Sequence, residues 1–224
     1  MSQNNDNSVQ SLNRAMLLLE ELAIHQDGCG VTYLSNLTGL HKSTVHRLLN
    51  TMTSRGYVEK DSETDKYSLG MKILYLGSAI LDRMDIRKIA KPLLEGLCSR
   101  TDEVVHLSIL DNGEAVYIDK VESPNKSIRM YSQIGKRVPL HCTGVGKILL
   151  AWLPDREVEY ILDKQGMEAY TPNTITDIDA MKEHLKLIRK IGYAFDEIEH
   201  EEGIRCVAAP IYDINGKVIA SVSV

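Results

Sequence analysis

The feature that most constrains the fold is the run over residues 31–67, VTYLSNLTGLHKSTVHRLLNTMTSRGYVEKDSETDKY. Apolar residues fall at Leu34, Leu37, Leu40, Val45, Leu48, Leu49 and Met52. That three-and-four spacing gives each of two helices one buried stripe. A first helix over 31–36 runs into a turn at Thr38-Gly39, where a tight corner needs a residue that tolerates positive φ. A second helix starts near Lys42; Leu40 fills the gap between the two, and Ser35 is small enough to let them cross closely. Two short helices joined in this way form a helix-turn-helix, the pattern that sets its second helix in the major groove of DNA.

The second helix presents Ser43, Thr44, His46, Arg47 and Asn50 between its apolar positions, with Lys42 at its start. Hydroxyl, amide and cationic groups are the ones that bond phosphate oxygens and base edges. From Gly28 to Val58 there is no Asp or Glu, in a chain whose net charge is −5. A helical hairpin in an enzyme core, with a solvated polar face, is the plainer alternative, but it does not require that gap. Residues 56–60 and 66–69 then read as two strands around the polar 61–65, a hairpin with a turn longer than two residues. A hairpin directly after a recognition helix is a wing. Lys60 and Lys66 flank its tip and either reach phosphate or only solubilise the turn; Asp61, Glu63 and Asp65 weaken any such contact.

A length of 224 residues suits two domains. Residues 1–8 form a polar tail expected to be disordered. Ser11 caps a helix through about His25, with Leu12, Ala15, Met16, Leu19, Leu22 and Ala23 on one face. Arg14 lies off that stripe and can touch the DNA backbone. The DNA-binding domain is expected over 9–70, a linker helix over 71–87 and an effector-binding domain over 88–224. Ile73, Leu76, Ile80 and Met84 form one stripe of the linker helix, widened by Leu74 and Leu81. A helix so apolar seeks either a second copy of the chain or its own C-terminal domain, and pairing with a second copy would set the spacing of two recognition helices.

Beyond the linker the pattern predicts a helix over 89–100 with Pro92 in its first turn. Strands follow at 104–110, 115–121 and 128–131, then helices at 144–153, 157–162 and 177–191. A hairpin over 207–212 and 218–224 completes an α+β sheet domain of sensor type. The sequence stops inside the last strand, so a further C-terminal helix is expected beyond it. Cys29, Cys98, Cys142 and Cys206 are far apart with no C-x-x-C pair, which indicates neither a disulfide framework nor a zinc finger. No apolar run is long enough for a bilayer and the N-terminus lacks a signal-peptide core, so a cytoplasmic protein with no membrane partner is expected.

The segment Pro139-Leu140-His141-Cys142-Thr143-Gly144-Val145-Gly146-Lys147 puts small residues at a helix N-terminus. Free N–H groups and the helix dipole there favour an anion such as a carboxylate, though a tight helix start explains the residues equally well. The spacing matches no nucleotide-binding fingerprint. The acidic run over 196–202 around His200 is a solvated loop more often than a metal site. Cys206 could be a nucleophile with His141 or His200 as base, but no local signature orients such a base, and a half-buried pocket wall is the simpler reading. No cofactor, metal ligand or catalytic residue is therefore expected.

Several segments resemble the IclR-type transcriptional regulators. They are Ser11-Leu12-Asn13-Arg14-Ala15, Lys42-Ser43-Thr44-Val45-His46-Arg47-Leu48-Leu49, Lys66-Tyr67-Ser68-Leu69-Gly70, the segment from Pro139 to Lys147, and Glu202-Gly203-Ile204-Arg205-Cys206-Val207-Ala208-Ala209-Pro210-Ile211. The resemblance implies a winged helix-turn-helix domain, a linker helix and a GAF-like effector domain, assembled as homodimers that pair into dimers of dimers. It implies double-stranded operator DNA and a small organic acid as partners. The implied pocket is lined by Met130, Val138, Gly144, Val145, Asp196, Ile204, Cys206 and Ser223, with Ser221 close by. Ser and backbone N–H groups would hold a carboxylate, Asp196 would accept from a hydroxyl, and Met130, Val138 and Ile204 would supply an apolar wall. Residues 128–137 with Leu149-Leu150-Ala151-Trp152 look most like the subgroup that regulates 2-keto-3-deoxygluconate and related sugar-acid catabolism.

The expected function is a ligand-responsive DNA-binding regulator, a repressor of a sugar-acid or related carboxylate operon. The competing classes are a small-molecule enzyme with an accessory winged-helix assembly domain, which turnover lost in Cys206→Ala would reveal, and a protein–protein winged-helix module, which would lack salt-dependent DNA binding.

Overall fold

The computed structural model describes residues 8–25, 27–123 and 132–224. The expected tail lies outside them save for Ser8, and so do the expected strand at 128–131 and with it Met130. The chain divides into two compact units, Met1–Arg83 and Met84–Val224, so the expected linker segment over 71–87 is shared between them.

In the first unit, α1 (Gln10–Ile24), α2 (Val31–Thr38) and α3 (Lys42–Ser54) enclose Leu18, Leu22, Leu34, Val45, Leu49 and Met52. Val9 is the N-cap of α1, so Ser11 lies within the first turn and caps nothing. The covered stripe is Ala15, Leu18, Leu19 and Leu22, while Leu12, Met16 and Ala23 are exposed. Both sets have helical spacing, and only the one centred on Leu18 faces the other helices. Leu37 is also exposed, because Leu34 and Leu40 already occupy the inter-helix gap. Gly39 ends α2 at φ 67° as the corner requires. Ser35 Oγ donates to the Leu40 carbonyl at 2.6 Å, fastening α2 to the turn.

Strands β1 (Val58–Lys60) and β2 (Tyr67–Leu69) form the antiparallel wing, with Val58 opposite Leu69. Cys29 and Tyr67 exchange backbone hydrogen bonds of 2.9 Å in both directions, tying the wing to the segment before α2. The linker helix expected over 71–87 is shorter: α4 (Met71–Leu81) ends before a turn at 82–83. None of its residues is buried, and Met71, Leu74 and Tyr75 are 67%, 62% and 64% exposed.

The second unit opens with α5 (Asp85–Thr101), which starts earlier than the expected 89. Pro92 therefore lies inside the helix rather than in its first turn, and the Lys88 carbonyl gives up its helical partner. Strands β3 (Val105–Asp111), β4 (Glu114–Val121), β5 (Arg137–Val138), β6 (Ala194–Glu197), β7 (Arg205–Tyr212) and β8 (Val218–Ser223) make a six-stranded antiparallel sheet in the order β5-β4-β3-β8-β7-β6. α5 covers one face, where Ala90, Leu94 and Cys98 meet Leu107, Ile118 and Ala220. A bulge at Leu107/Ser108 lets Ile118 join that core while the neighbouring Asp119 meets Arg87 and Lys91 of α5. The other face carries α6 (Gly144–Ala151), α7 (Asp155–Gln165) and α8 (Ile178–Ile191), packed through Ile148, Leu150, Met181, Leu185 and Ile188.

The corrected stripe of α1 is open to measurement by urea unfolding. Leu18→Ala should cost about 2–5 kcal/mol as a cavity in a closed core, and Leu12→Ala less than about 0.5 kcal/mol. Equal losses would return the packed face of α1 to the Leu12 side.

Candidate functional site

α3 owes its outward face to its inward one. Val45 and Leu49 are fully buried, which fixes the helix's rotation. Lys42, Ser43, His46, Arg47 and Asn50 are then exposed, with Thr44 half-buried beside them. The six expected residues of this helix thus share one surface. Lys66 is exposed on the wing and Arg14 half-buried on α1. Lys60 is not free at the tip: its ammonium stands 2.5 Å from Asp65 Oδ1. Asp61 Oδ1 accepts from the amides of Glu63 and Thr64 at 2.8 and 2.9 Å, so its carboxylate shapes the turn.

The second unit contains a cavity of about 420 Å³ at one end of the sheet. Thr143, Gly144 and Val145 border it from the start of α6, Val138 from β5, and Asp196 with Ile204 from β6 and the loop after it. Cys206 of β7 and Ser223 of β8 complete this side. Seven expected residues, Val138, Gly144, Val145, Asp196, Ile204, Cys206 and Ser223, are therefore brought together. Ser221 does not border the cavity. It is fully buried, two residues before Ser223 on β8, paired with Ser108 of β3 and Pro210 of β7, and its hydroxyl donates to the Ala209 carbonyl at 3.4 Å. Met130 lies outside the described residues.

The opposite wall was not foreseen. His106 of β3 and Tyr117 of β4 border the cavity, with Ser132 and Lys136 at its rim and His200 on the loop after β6. The His106 and Tyr117 rings meet at a tilt of 38° with 4.7 Å between centroids, and His106 Nε2 is hydrogen-bonded with Ser132 Oγ at 2.7 Å. The available signal was polar His106 and Ser108 alternating with Val105, Leu107 and Ile109.

Burial governs the chemistry of these groups. It pushes His106 down to about 4, with nearby Lys120 acting in the same direction, so the imidazole is neutral. Desolvation raises the Tyr117 phenol above its ordinary value, and pushes the Cys206 thiol up to about 11 although the Gly144 amide donates to its sulfur. A Cβ on Gly144 would stand 3.0 Å from that sulfur, a contact tight enough that the sulfur would have to give way by a few tenths of an ångström. Asp196 is 4% exposed, and burial raises its carboxyl to about 6 although the Glu199 amide donates to it at 2.8 Å. In the first turn of α6 the Gly146 amide donates to Thr143 Oγ1 at 3.1 Å. The Val145 amide has no acceptor within the helix, as its position in the first turn dictates.

A neutral thiol is no nucleophile, and the His141 ring is hydrogen-bonded to the Glu168 carbonyl at 2.9 Å. Among the described residues no group of three or more His, Cys, Asp or Glu side chains could hold a metal, and no helix is long and apolar enough to cross a membrane. The arrangement suits reversible binding of a small polar molecule: donors at the start of α6, the buried Asp196 carboxyl with Glu103, Glu197 and Glu201 also bordering the space, Lys136 and Arg205 as cations, and an apolar wall of Val138, Val145 and Ile204.

Comparison with known proteins gives two family matches. The profile of the bacterial transcriptional regulator IclR C-terminal domain covers residues 78–224, and that of the IclR helix-turn-helix domain covers residues 11–62. The chain is 40% identical to the HTH-type transcriptional regulator XynR of Escherichia coli (strain K12), over 96% of this chain and 85% of that protein. It is 41% identical to the HTH-type transcriptional regulator KdgR of Dickeya chrysanthemi, over 97% and 70%, and 37% identical to the transcriptional repressor IclR of Escherichia coli (strain K12), over 96% and 79%. The solved structure of the Thermotoga maritima IclR superposes with a TM-score of 0.77 at 36% identity, covering 96% of this chain and 86% of that one. An IclR homologue from Microbacterium hydrocarbonoxydans, solved in complex with 4-hydroxybenzoate, superposes with a TM-score of 0.80 at 26% identity over 96% and 88%.

The raised Asp196 carboxyl has a signed consequence for stability. A carboxyl whose folded value lies above its unfolded value, about 3.9, contributes fully below the unfolded value and loses that contribution as pH rises through the folded one, about 6. Asp196→Asn should therefore exceed the parent by on the order of 2–3 kcal/mol above about pH 7 and match it below about pH 4. Urea unfolding at a series of pH values measures this; a pH-independent difference would exclude Asp196 as the titrating group.

Proposed function

This chain belongs to the IclR family of bacterial transcriptional regulators, and from that premise we propose that it represses a catabolic operon and is released by a hydroxylated organic acid. Its helix-turn-helix domain binds DNA and its C-terminal domain binds a small molecule. The observation that carries the finer reading is the cavity at the N-terminus of α6, which Val145, the Asp196 carboxyl, Ser223 and the apolar Val138 and Ile204 border together. The ligand carboxylate is assigned to the Val145 amide and Ser223, a hydroxyl to Asp196, and the carbon chain to Val138 and Ile204. An acid with hydroxyl groups uses all three kinds of contact, which favours a sugar acid. The likeness to the 4-hydroxybenzoate-bound homologue favours a carboxylate carrying a hydroxyl, and leaves an aromatic ring as the second choice.

On the DNA side, Lys42, Ser43, Thr44, His46, Arg47 and Asn50 are assigned to the major groove, and Arg14 and Lys66 to phosphate. Lys60 contributes only where DNA draws it away from Asp65. The uncovered apolar faces of α1 and α4 support a homodimer, which would present two recognition helices to a palindromic operator. An operator in bacterial cytoplasm makes that the protein's compartment. The enzyme alternative is not supported, since the relatives are named transcriptional regulators.

Two measurements test this reading. With operator DNA selected by the parent protein, Arg47→Ala should weaken binding by about 1–3 kcal/mol if it reads a guanine; unchanged anisotropy titrations would remove Arg47 from the reading set. D-gluconate and 2-keto-3-deoxygluconate should raise the parent's melting temperature, and Ser223→Ala should abolish the rise while leaving operator affinity intact. A rise produced only by 4-hydroxybenzoate would replace the sugar acid with an aromatic one.

A further inference from the structure

The loop that closes the cavity beyond β6 is held by two charges that the cavity itself does not contain. Lys147 of α6 is wholly buried, and its ammonium meets the Glu199 carboxylate, whose side chain is 8% exposed. The Glu199 amide donates to Asp196 Oδ1 at 2.8 Å. Thr174 Oγ1 donates to the Glu199 carbonyl and Thr171 Oγ1 to that of Ile198, both at 2.6 Å. Between them Ile198 stands at φ 60°. A β-branched residue in the left-handed region persists only where its surroundings over-determine it.

A tie of this kind does not need charge. Well-packed apolar residues of similar volume commonly replace a buried ion pair without loss. What an apolar pair could not do is act electrostatically on Asp196. Lys147 favours the ionised form of that carboxyl and Glu199 opposes it. The other groups that face it are the amide of His200 in the same loop, the thiol of Cys206 across β7, the Cys142 thiol before α6 and the Tyr117 phenol of β4. From α8, His184 faces the pair itself.

We propose that Lys147 and Glu199 are a positioning pair for the ligand cavity: they hold the Asp196 carboxyl at its wall, and their opposed charges decide whether it meets a ligand as acceptor or as donor. An ionised Asp196 takes a hydroxyl hydrogen and repels a second carboxylate; a protonated one donates to a carbonyl or carboxylate. Lys147 and Glu199 thereby determine specificity without touching the ligand. This rests on the reading of the cavity as the effector site.

The test needs no ligand. The Asp196 carboxyl carbon resonance of the full chain, assigned by its loss in Asp196→Asn, is titrated together with amide exchange across residues 196–200. Lys147→Met should raise the Asp196 midpoint and Glu199→Gln should lower it, each by about one pH unit, with exchange in the loop still slow. A pair that only fastens the loop would hydrate Asp196 on removal of either partner, so both midpoints would fall and both loops would exchange fast. Shifts in the same direction, or none, overturn the proposal. If Lys147→Met does not fold, Glu199→Gln decides alone: a lowered midpoint with slow exchange supports the pair's electrostatic role, and a lowered midpoint with fast exchange refutes it. D-gluconate is then titrated at several pH values, and its affinity profile should move with the Asp196 midpoint. Failure of D-gluconate to bind the parent would sink the sugar-acid reading and leave the carboxyl titration standing.

Discussion

Where α6 begins there is no room for a methyl group. A Cβ on Gly146 would lie 2.5 Å from Leu140 Cα and 2.6 Å from its carbonyl oxygen, and one on Gly144 would crowd Cys206 and Ala208 at 3.0 and 3.2 Å. The whole ligand end of the second unit follows from that contact. It brings the first-turn amides of α6 to the mouth of the sheet and presses the helix so close that all of Gly144–Ala151 is buried, Lys147 included. A buried lysine must find an anion, and the loop after β6 supplies Glu199. β6 and that loop then bring Asp196 and Ile204 to the space that Val138 and Val145 also border, and the cavity acquires walls of opposite character.

Burial also explains why so many titratable groups there bind rather than react. An imidazole lowered to about 4 and a thiol raised to about 11 are both neutral at ordinary pH. Asp196, raised to about 6, lies nearer to neutrality than either of them. Catalysis by general acid or base wants groups tuned toward neutrality with a partner to relay the proton. Here most of the tuning runs the other way, which is what a site that must release its ligand unchanged requires.

The sequence made some of this legible and hid the rest for physical reasons. α2 and α3 were readable because each carries one apolar stripe and a glycine corner, so periodicity and turn chemistry agree. α1 was misread because Leu12 and Met16 repeat at the same spacing as Ala15, Leu18, Leu19 and Leu22. Periodicity finds a stripe but cannot say which of two is covered. β5 and β6 are too short to show alternation. Gly144, Cys206 and Ser223 followed from segments resembling known regulators, whereas His106 and Tyr117 depend on pairing. The bulge at Leu107/Ser108 resets which face β4 presents, and nothing local announces it. Lys147 and Glu199 are 52 positions apart, a separation at which composition carries no information about contact.

The covalent path between the two sites runs from α4 through residues 82–84 into α5, and the first turns of α5 are not free to move alone. Asp119 of β4, with its side chain 1% exposed, meets Arg87 Nε at 3.2 Å and Lys91 Nζ at 3.1 Å. Together with the Lys120 amide, which donates to Asp119 Oδ1 at 2.8 Å, those cations tie the first turns of α5 to β4. β4 also carries Tyr117 to the cavity wall. Were a ligand to prefer one setting of β4, this tie would carry the preference to the helix that follows the DNA-binding unit. It can change DNA affinity by no more than its own preference between settings, roughly 1–3 kcal/mol in typical allosteric proteins. Because linkage is reciprocal, operator DNA must change the affinity for the ligand by the same factor, which makes the DNA itself an effector of the cavity.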